Sequence, residues 1–250
     1  MNNFRTAYPN ELYHHGIKGQ KWGVRRFQNP DGTLTAAGYK RYARKAINKS
    51  VGKNIDTWGK SPDTNVLYVT GISGSGKSTI SMDLSSSNTI PIHLDSFFSN
   101  PEGPKDPRFM RHCQKEGVDL EKIRLPFTNH DAFVEAQKDG WKKWGKNLEK
   151  FENAIDTFGR SQYKKNRIVV EGVQLLDDTV RPDKSYFLTK PIILVKTNPI
   201  SATLRSMERD DMPATKFFEQ MSKEKWWQAR LNIFEKEISA GKIKYETLFS

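Results

Sequence analysis

Four short apolar runs, each rich in β-branched residues, recur through the chain: Asn65 to Thr70, Thr89 to Leu94, Arg167 to Val170 and Pro191 to Thr197. Such near-continuous runs are what strands buried in a parallel sheet require, and the segments between them carry apolar residues at helical spacing. Ser78 to Ser86 reads as a helix. Asn100 to Phe127, rich in Pro, Gly and charge, reads as an irregular excursion facing the substrate. Helical pattern resumes near His130 and runs through Trp141, Trp144, Leu148 and Phe151. After the fourth run, Ala202 to Asp210 reads as a basic helix or lid. Pro213 then opens a long helix whose apolar residues Phe217, Met221, Trp227, Leu231, Phe234 and Ile238 form a core stripe, stopped by Gly241. Strands alternating with helices predict an α/β fold, a three-layer sandwich around a mainly parallel sheet.

The polar residues that end these runs change the picture. The first run breaks at Gly71 into Gly71-Ile72-Ser73-Gly74-Ser75-Gly76-Lys77-Ser78-Thr79, which satisfies G-x-x-x-x-G-K-[ST] between a strand and a helix start. Glycines let backbone N–H groups turn inward around phosphate oxygens, and the following helix directs its positive end at them. In such a loop Lys77 reaches the β- and γ-phosphates and Ser78 ligates Mg²⁺, so the pattern predicts ATP and Mg²⁺ as cofactors. The alternative is a tight turn with no ligand.

The second run ends at Asp95, the third at Glu171, both at the carboxyl end of a strand, where open α/β sheets bind ligands. Asp95 is the candidate base on the acceptor side, its alternative being a helix-capping or turn carboxylate. Glu171 is a candidate to hold Mg²⁺ directly or through water. Arg205 and Arg209 are four apart, share one helical face and can fold over a triphosphate; the alternative for both is a solvated face paired with Glu208 or Asp210, which weighs most for Arg209.

Charge divides the chain. Its formal net charge is +12, yet residues 1–60 hold 12 Lys and Arg against 3 Asp and Glu, leaving 29 against 26 in residues 61–250. The expected organisation is therefore a small basic N-terminal extension, 1–60, a linker from Lys49 to Asn65 that crosses its boundary, and a catalytic domain, 61–250. Within the extension, Gln28 to Gly32 reads as a turn and Ala36 to Lys45 as a helix with a basic face. Basic residues interleaved with Trp22 and Phe27 suit nucleic acid or a virion protein as partner, or a solvated arm. A single cysteine, Cys113, excludes an internal disulfide framework, and no run approaches membrane-spanning length. A polar start and this cysteine usage predict a cytoplasmic protein with no membrane partner.

Two resemblances follow from these residues. The stretch from His15 through Gly-Ile-Lys-Gly-Gln-Lys-Trp-Gly-Val-Arg-Arg to Tyr42 resembles a short module recurring in phage and prophage structural or head-associated proteins. It implies a viral source and nothing catalytic. Residues 65–210 resemble the P-loop nucleoside-type kinases, the group of uridine kinase, phosphoribulokinase and bacterial pantothenate kinase, and more loosely zeta toxin. The likeness rests on Gly71 to Thr79, on Leu94-Asp95-Ser96-Phe97-Phe98 beside the group's D-S-F-Y, on Val169-Val170-Glu171-Gly172 beside its V-E-G, and on Arg205 to Asp210 beside its lid R-x-x-x-R-D. It implies a kinase that moves the γ-phosphoryl group of ATP to a hydroxyl of a small molecule, such as a nucleoside or sugar nucleotide. A kinase or ATPase acting on nucleic acid, and a packaged structural protein with an ATP site, are the other readings.

Overall fold

The computed structural model describes residues 57–85, 87–177 and 187–241, and the backbone of 184–186 and 246–249. The chain divides between Ala46 and Ile47, and every described residue lies in the second unit. The turn and helix expected before residue 46, with Trp22 and Phe27, fall outside the described residues.

The centre is an all-parallel sheet of β1 (Val66–Gly71), β2 (Thr89–His93), β3 (Arg167–Glu171), β4 (Ile192–Lys196) and β5 (Glu246–Phe249), in the order β2-β3-β1-β4-β5. Every residue of β1 is buried, as is every residue of β3 after Arg167. A parallel sheet covered on both faces has no solvent side to reward polar alternation, hence the unbroken apolar runs. β2 differs, because it is an edge strand whose burial alternates. Pro91 stands within it, and an edge tolerates a residue with no N–H to give a further neighbour. β5 lies in a segment where no strand was expected; alternation of Ile243, Tyr245, Thr247 and Phe249 with charged or other residues is its sequence signal.

Helices flank the sheet: α1 (Lys77–Leu84), a short α2 (Asp95–Phe98), α3 (Pro107–Lys115), α4 (Leu120–Thr128), α5 (His130–Lys138), α6 (Lys142–Gln162), α7 (Pro199–Arg209) and α8 (Phe217–Ala240). The expected irregular excursion from Asn100 to Phe127 is therefore corrected to two helices. Asp106 accepts from the Arg108 and Phe109 amides with Pro107 at the first helical position, and Asp119 accepts from the Lys122 amide. These are N-cap signals that the surrounding Pro and charge obscured. The helical pattern from His130 splits at Gly140 and Trp141, both at left-handed φ, so two helices stand where one periodicity was visible.

Helices α2 to α6 pack their aromatics together. The rings of Phe109 and Phe158 lie 5.2 Å apart and those of Phe97 and Phe151 5.1 Å apart. On β1, Tyr68 meets Phe187 edge-on at 5.3 Å, and Phe187 meets Phe234 of α8 at 5.2 Å. Leu231, Phe234 and Ile238 are core as expected, whereas Phe217, Met221 and Trp227 are only half-buried; Gln220 and Glu224 take the buried positions of that half.

The linker expected from Lys49 to Asn65 is corrected over its described part, residues 57–65, which packs into the domain. Trp58 is buried, donates its indole N–H to the Asn65 carbonyl at 3.3 Å and lies under the Arg167 guanidinium at 5.1 Å. Asn65 in turn donates to the carbonyls of Gly159 at 2.7 Å and Asn166 at 3.0 Å. Residues 57–65 are thus part of the α/β domain. Among the described residues no helix is long and apolar enough to cross a membrane.

Candidate functional site

β1 delivers the chain into the glycine loop at the centre of the sheet. A Cβ on Gly71 would stand 2.4 Å from the Val195 carbonyl oxygen, and one on Gly74, at φ +70°, 2.3 Å from that of Ala202. Glycine at 74 therefore lets the loop touch the backbone of α7. Gly76, at φ +91°, is the N-cap of α1, and no side chain caps this helix. The first N–H groups of α1 are left for a ligand, which at a helix N-terminus is most favourably an anion.

Lys77 is buried. Its Nζ donates to the Ile72 carbonyl at 2.9 Å, and burial holds its pKa below the usual lysine value against the opposing pull of Glu171, Asp95 and Glu224. Ser78 and Thr79 are exposed at the start of α1. Ser78 Oγ donates to Glu171 Oε1 at 3.3 Å. Glu171 pairs in register with Val69 on one side and His93 on the other, and its Oε1 lies 2.8 Å from His93 Nδ1. Its Oε2 is buried and has no hydrogen-bond partner among the described residues. Thr70 Oγ1 donates to the Gly172 carbonyl at 3.0 Å, fixing the ends of β1 and β3 together.

Asp95 begins α2, but Leu94 is the N-cap and no side-chain bond caps the helix. The capping alternative for Asp95 is therefore not realised. Its Oδ1 instead accepts from Gln174 Nε2 at 2.5 Å. Gly172 makes the approach possible, since a Cβ there would stand 2.6 Å from Gln174 Oε1 and 2.7 Å from Leu94 Cβ.

The glycine loop, the segment that starts at Asp95 and the end of α7 line one cleft of about 730 Å³. Ser73, Gly74, Gly76, Lys77, Ser78 and Thr79 form its floor, Asp95, Ser99, Asn100 and Val173 one wall, and Arg205, Arg209 and Asp210 another. Residues from four separate segments converge there. Gly71, Ile72, Ser75 and Glu171 stand behind that lining, buried. Arg205 donates to Thr197 Oγ1 at 2.5 Å and to the Ser201 carbonyl at 3.2 Å. Arg209 makes a two-point pair with Asp210, both bonds 2.7 Å, so the pairing alternative for Arg209 is realised while the residue still faces the cleft.

Sequence reasoning missed Gln174, Gln220 and Glu224. Gln174 stands three residues past the strand-end glutamate, a spacing that points nowhere without the turn at Gly172. Gln220 and Glu224 are four apart on α8, a spacing that by itself reads as a solvated helix face.

A family model described as a family of unknown function (DUF7211) matches residues 6–29, inside the basic extension. No curated protein matches. Among solved structures, a crystal structure of TT1252 from Thermus thermophilus is similar at a TM-score of 0.38 with 16% identity, over 74% of this chain and 87% of that one. The parallel sheet, the strand-to-helix glycine loop and the flanking helices are by themselves those of an α/β sandwich of the P-loop NTPase type.

Proposed function

We propose that the domain binds a nucleoside triphosphate with Mg²⁺ and transfers its terminal phosphoryl group to a hydroxyl of a small molecule. The observation that carries this reading is the convergence of Lys77, Asp95, Arg205 and Arg209 on one cleft around the glycine loop. Phosphoryl transfer is catalysed chiefly by positioning and charge neutralisation, so these are the parts it needs. The loop amides and the α1 N-terminus hold phosphate oxygens. Lys77, released from the Ile72 carbonyl, offers its ammonium to the β- and γ-phosphates.

Ser78 and Glu171 would hold the Mg²⁺. Their oxygens are 3.3 Å apart, the donor set is the hard oxygen type this ion takes, and Glu171 Oε2 is a buried acceptor lacking a donor among the described residues. When bound, the ion neutralises phosphate charge. Asp95, held by Gln174, accepts the proton of the acceptor hydroxyl as it attacks. Arg205 and Arg209 turn from Thr197 and Asp210 to the terminal phosphate, where guanidinium–phosphate pairing is strong and directional.

The basic composition of residues 1–60 supports nucleic acid as a second acceptor class, and the resemblance of His15 to Tyr42 supports a virion protein as partner and a phage source. The deciding experiment measures Mg-ATP binding, then ADP formation against a metabolite pool and against DNA and RNA ends. ADP formation that depends on a small hydroxyl compound supports the reading. Dependence on nucleic acid replaces the acceptor, and no Mg-ATP binding overturns it.

A further inference from the structure

The buried face of α8 changes character along its length. Its second half is Leu231, Phe234 and Ile238, but its first half buries Gln220 and Glu224, the latter almost completely. A buried carboxylate costs several kcal/mol unless its surroundings compensate. A position that only had to fill space would be occupied without that cost by leucine or methionine.

What Glu224 touches suggests its use. Its Oε1 accepts from Gln220 Nε2 at 2.9 Å, and the same amide nitrogen donates to Ser206 Oγ of α7 at 3.1 Å. Ser206 Oγ lies 3.5 Å from Ser73 Oγ in the glycine loop. A continuous chain of polar contacts thus runs from α8 through the helix that carries Arg205 and Arg209 to the floor of the cleft. The Ser73 backbone N–H faces the Glu224 carboxylate, and Lys77 and Arg209 attract it through space. Its Oε2 is buried without a hydrogen-bond partner among the described residues. At the other contact between loop and helix, Gly74 lies against the Ala202 backbone with no room for a side chain. The loop and α7 are therefore in direct contact, and α8 holds that contact from behind.

We propose that Glu224 is a positioning residue of the phosphate site, which through Gln220 and Ser206 fixes α7 against the glycine loop and so sets where Arg205 and Arg209 meet the terminal phosphate. This rests on the reading of the cleft as a triphosphate site. ATP and ADP share the phosphates that the loop cradles and differ in the one that the lid arginines reach. Loosening the link between α7 and the loop then erodes the preference for ATP over ADP and leaves ADP affinity nearly unchanged.

The test uses the full chain with Glu224→Gln, which keeps the shape and removes the charge, and Ser206→Ala, which cuts the path between α8 and the loop with little change in packing. Kd values for Mg-ATP and Mg-ADP are measured by calorimetry alongside Tm. In both variants the ATP-over-ADP preference is expected to fall about fivefold to tenfold, the scale of one ordinary hydrogen bond. ADP affinity should change far less than ATP affinity, since of the loop's own groups only Ser73 and Lys77 meet the altered side chains. An unchanged preference, or ATP and ADP affinities that fall together with a lowered Tm, overturns the positioning role and leaves Glu224 a structural prop. A parent protein that binds both nucleotides equally overturns the inference alone. A parent that binds neither overturns the triphosphate reading and the inference with it.

Discussion

Lys77 Nζ donates to the carbonyl oxygen of Ile72, five residues back in the same loop, at 2.9 Å. The ammonium is folded into its own loop, where burial lowers its pKa and three carboxylates partly restore it. A charge held in this way is a cost to the fold that phosphate binding recovers.

Lys77→Met should accordingly abolish measurable Mg-ATP binding, read by calorimetry, while Tm at neutral pH stays equal to or above that of the parent. The pH dependence has a definite sign. A lysine whose folded pKa lies below 10.5 penalises the fold fully at pH values under that folded pKa, and the penalty fades as pH rises through it toward 10.5. The variant's Tm advantage should therefore shrink between neutral and strongly alkaline pH; an advantage that grows instead contradicts the burial argument.

Asp95→Asn keeps the Gln174 contact in shape but removes the acceptor-side base. Phosphoryl transfer is expected to fall by about two orders of magnitude or more, with the Kd for Mg-ATP changed by less than about threefold. Single-turnover kinetics beside a binding titration separate the two, and a large loss of affinity with transfer per bound ATP intact would place Asp95 on the nucleotide side.

Gly74→Ala introduces a Cβ where the Ala202 carbonyl oxygen stands 2.3 Å away, at a left-handed φ. Neither partner is a flexible side-chain end, so α7 must shift from the loop. The expected outcome is a Tm lower by several degrees and weaker ATP binding together, measured by thermal melting and calorimetry; a variant equal to the parent in both would mean that the loop and α7 are free to separate.

Removal of residues 1–56 should leave the domain folded, whereas removal of 1–60 takes away Trp58 and its contacts with Asn65 and Arg167. Trp58→Ala in the full chain should cost about 3 to 5 kcal/mol in urea unfolding, as expected for a buried tryptophan. If residues 1–56 bind nucleic acid through phosphates, filter binding by the full chain should weaken steeply with salt and nearly vanish in the 57–250 truncation. Salt-independent binding would exclude phosphate contact as its source.

Four of the five strands and the glycine loop are legible in the sequence alone. A strand buried on both faces must be apolar along its whole length, so β1, β3 and β4 announce themselves, and G-x-x-x-x-G-K-[ST] constrains a backbone path locally enough to be read without a structure. The sequence also placed Asp95 and Glu171, because a charged residue that ends an apolar run must sit at the mouth of the sheet. Helices α3 and α4 were obscured for a local reason: their caps lie among proline and charge that read equally well as loop.

Only the tertiary structure decided what depends on partners far along the chain. Gln174 bonds Asp95 across 79 positions, and Glu171 accepts from Ser78 across 93. Trp58 belongs to the domain because Arg167 and Asn65 cover it, which no property of a basic, glycine-containing segment reveals. Glu224 is the clearest case. Its place on α8 has helical spacing from buried neighbours, yet a glutamate at that spacing ordinarily faces water, and it is buried here because the glycine loop and α7 close over it with Lys77, Arg209 and Gln220 to balance its charge.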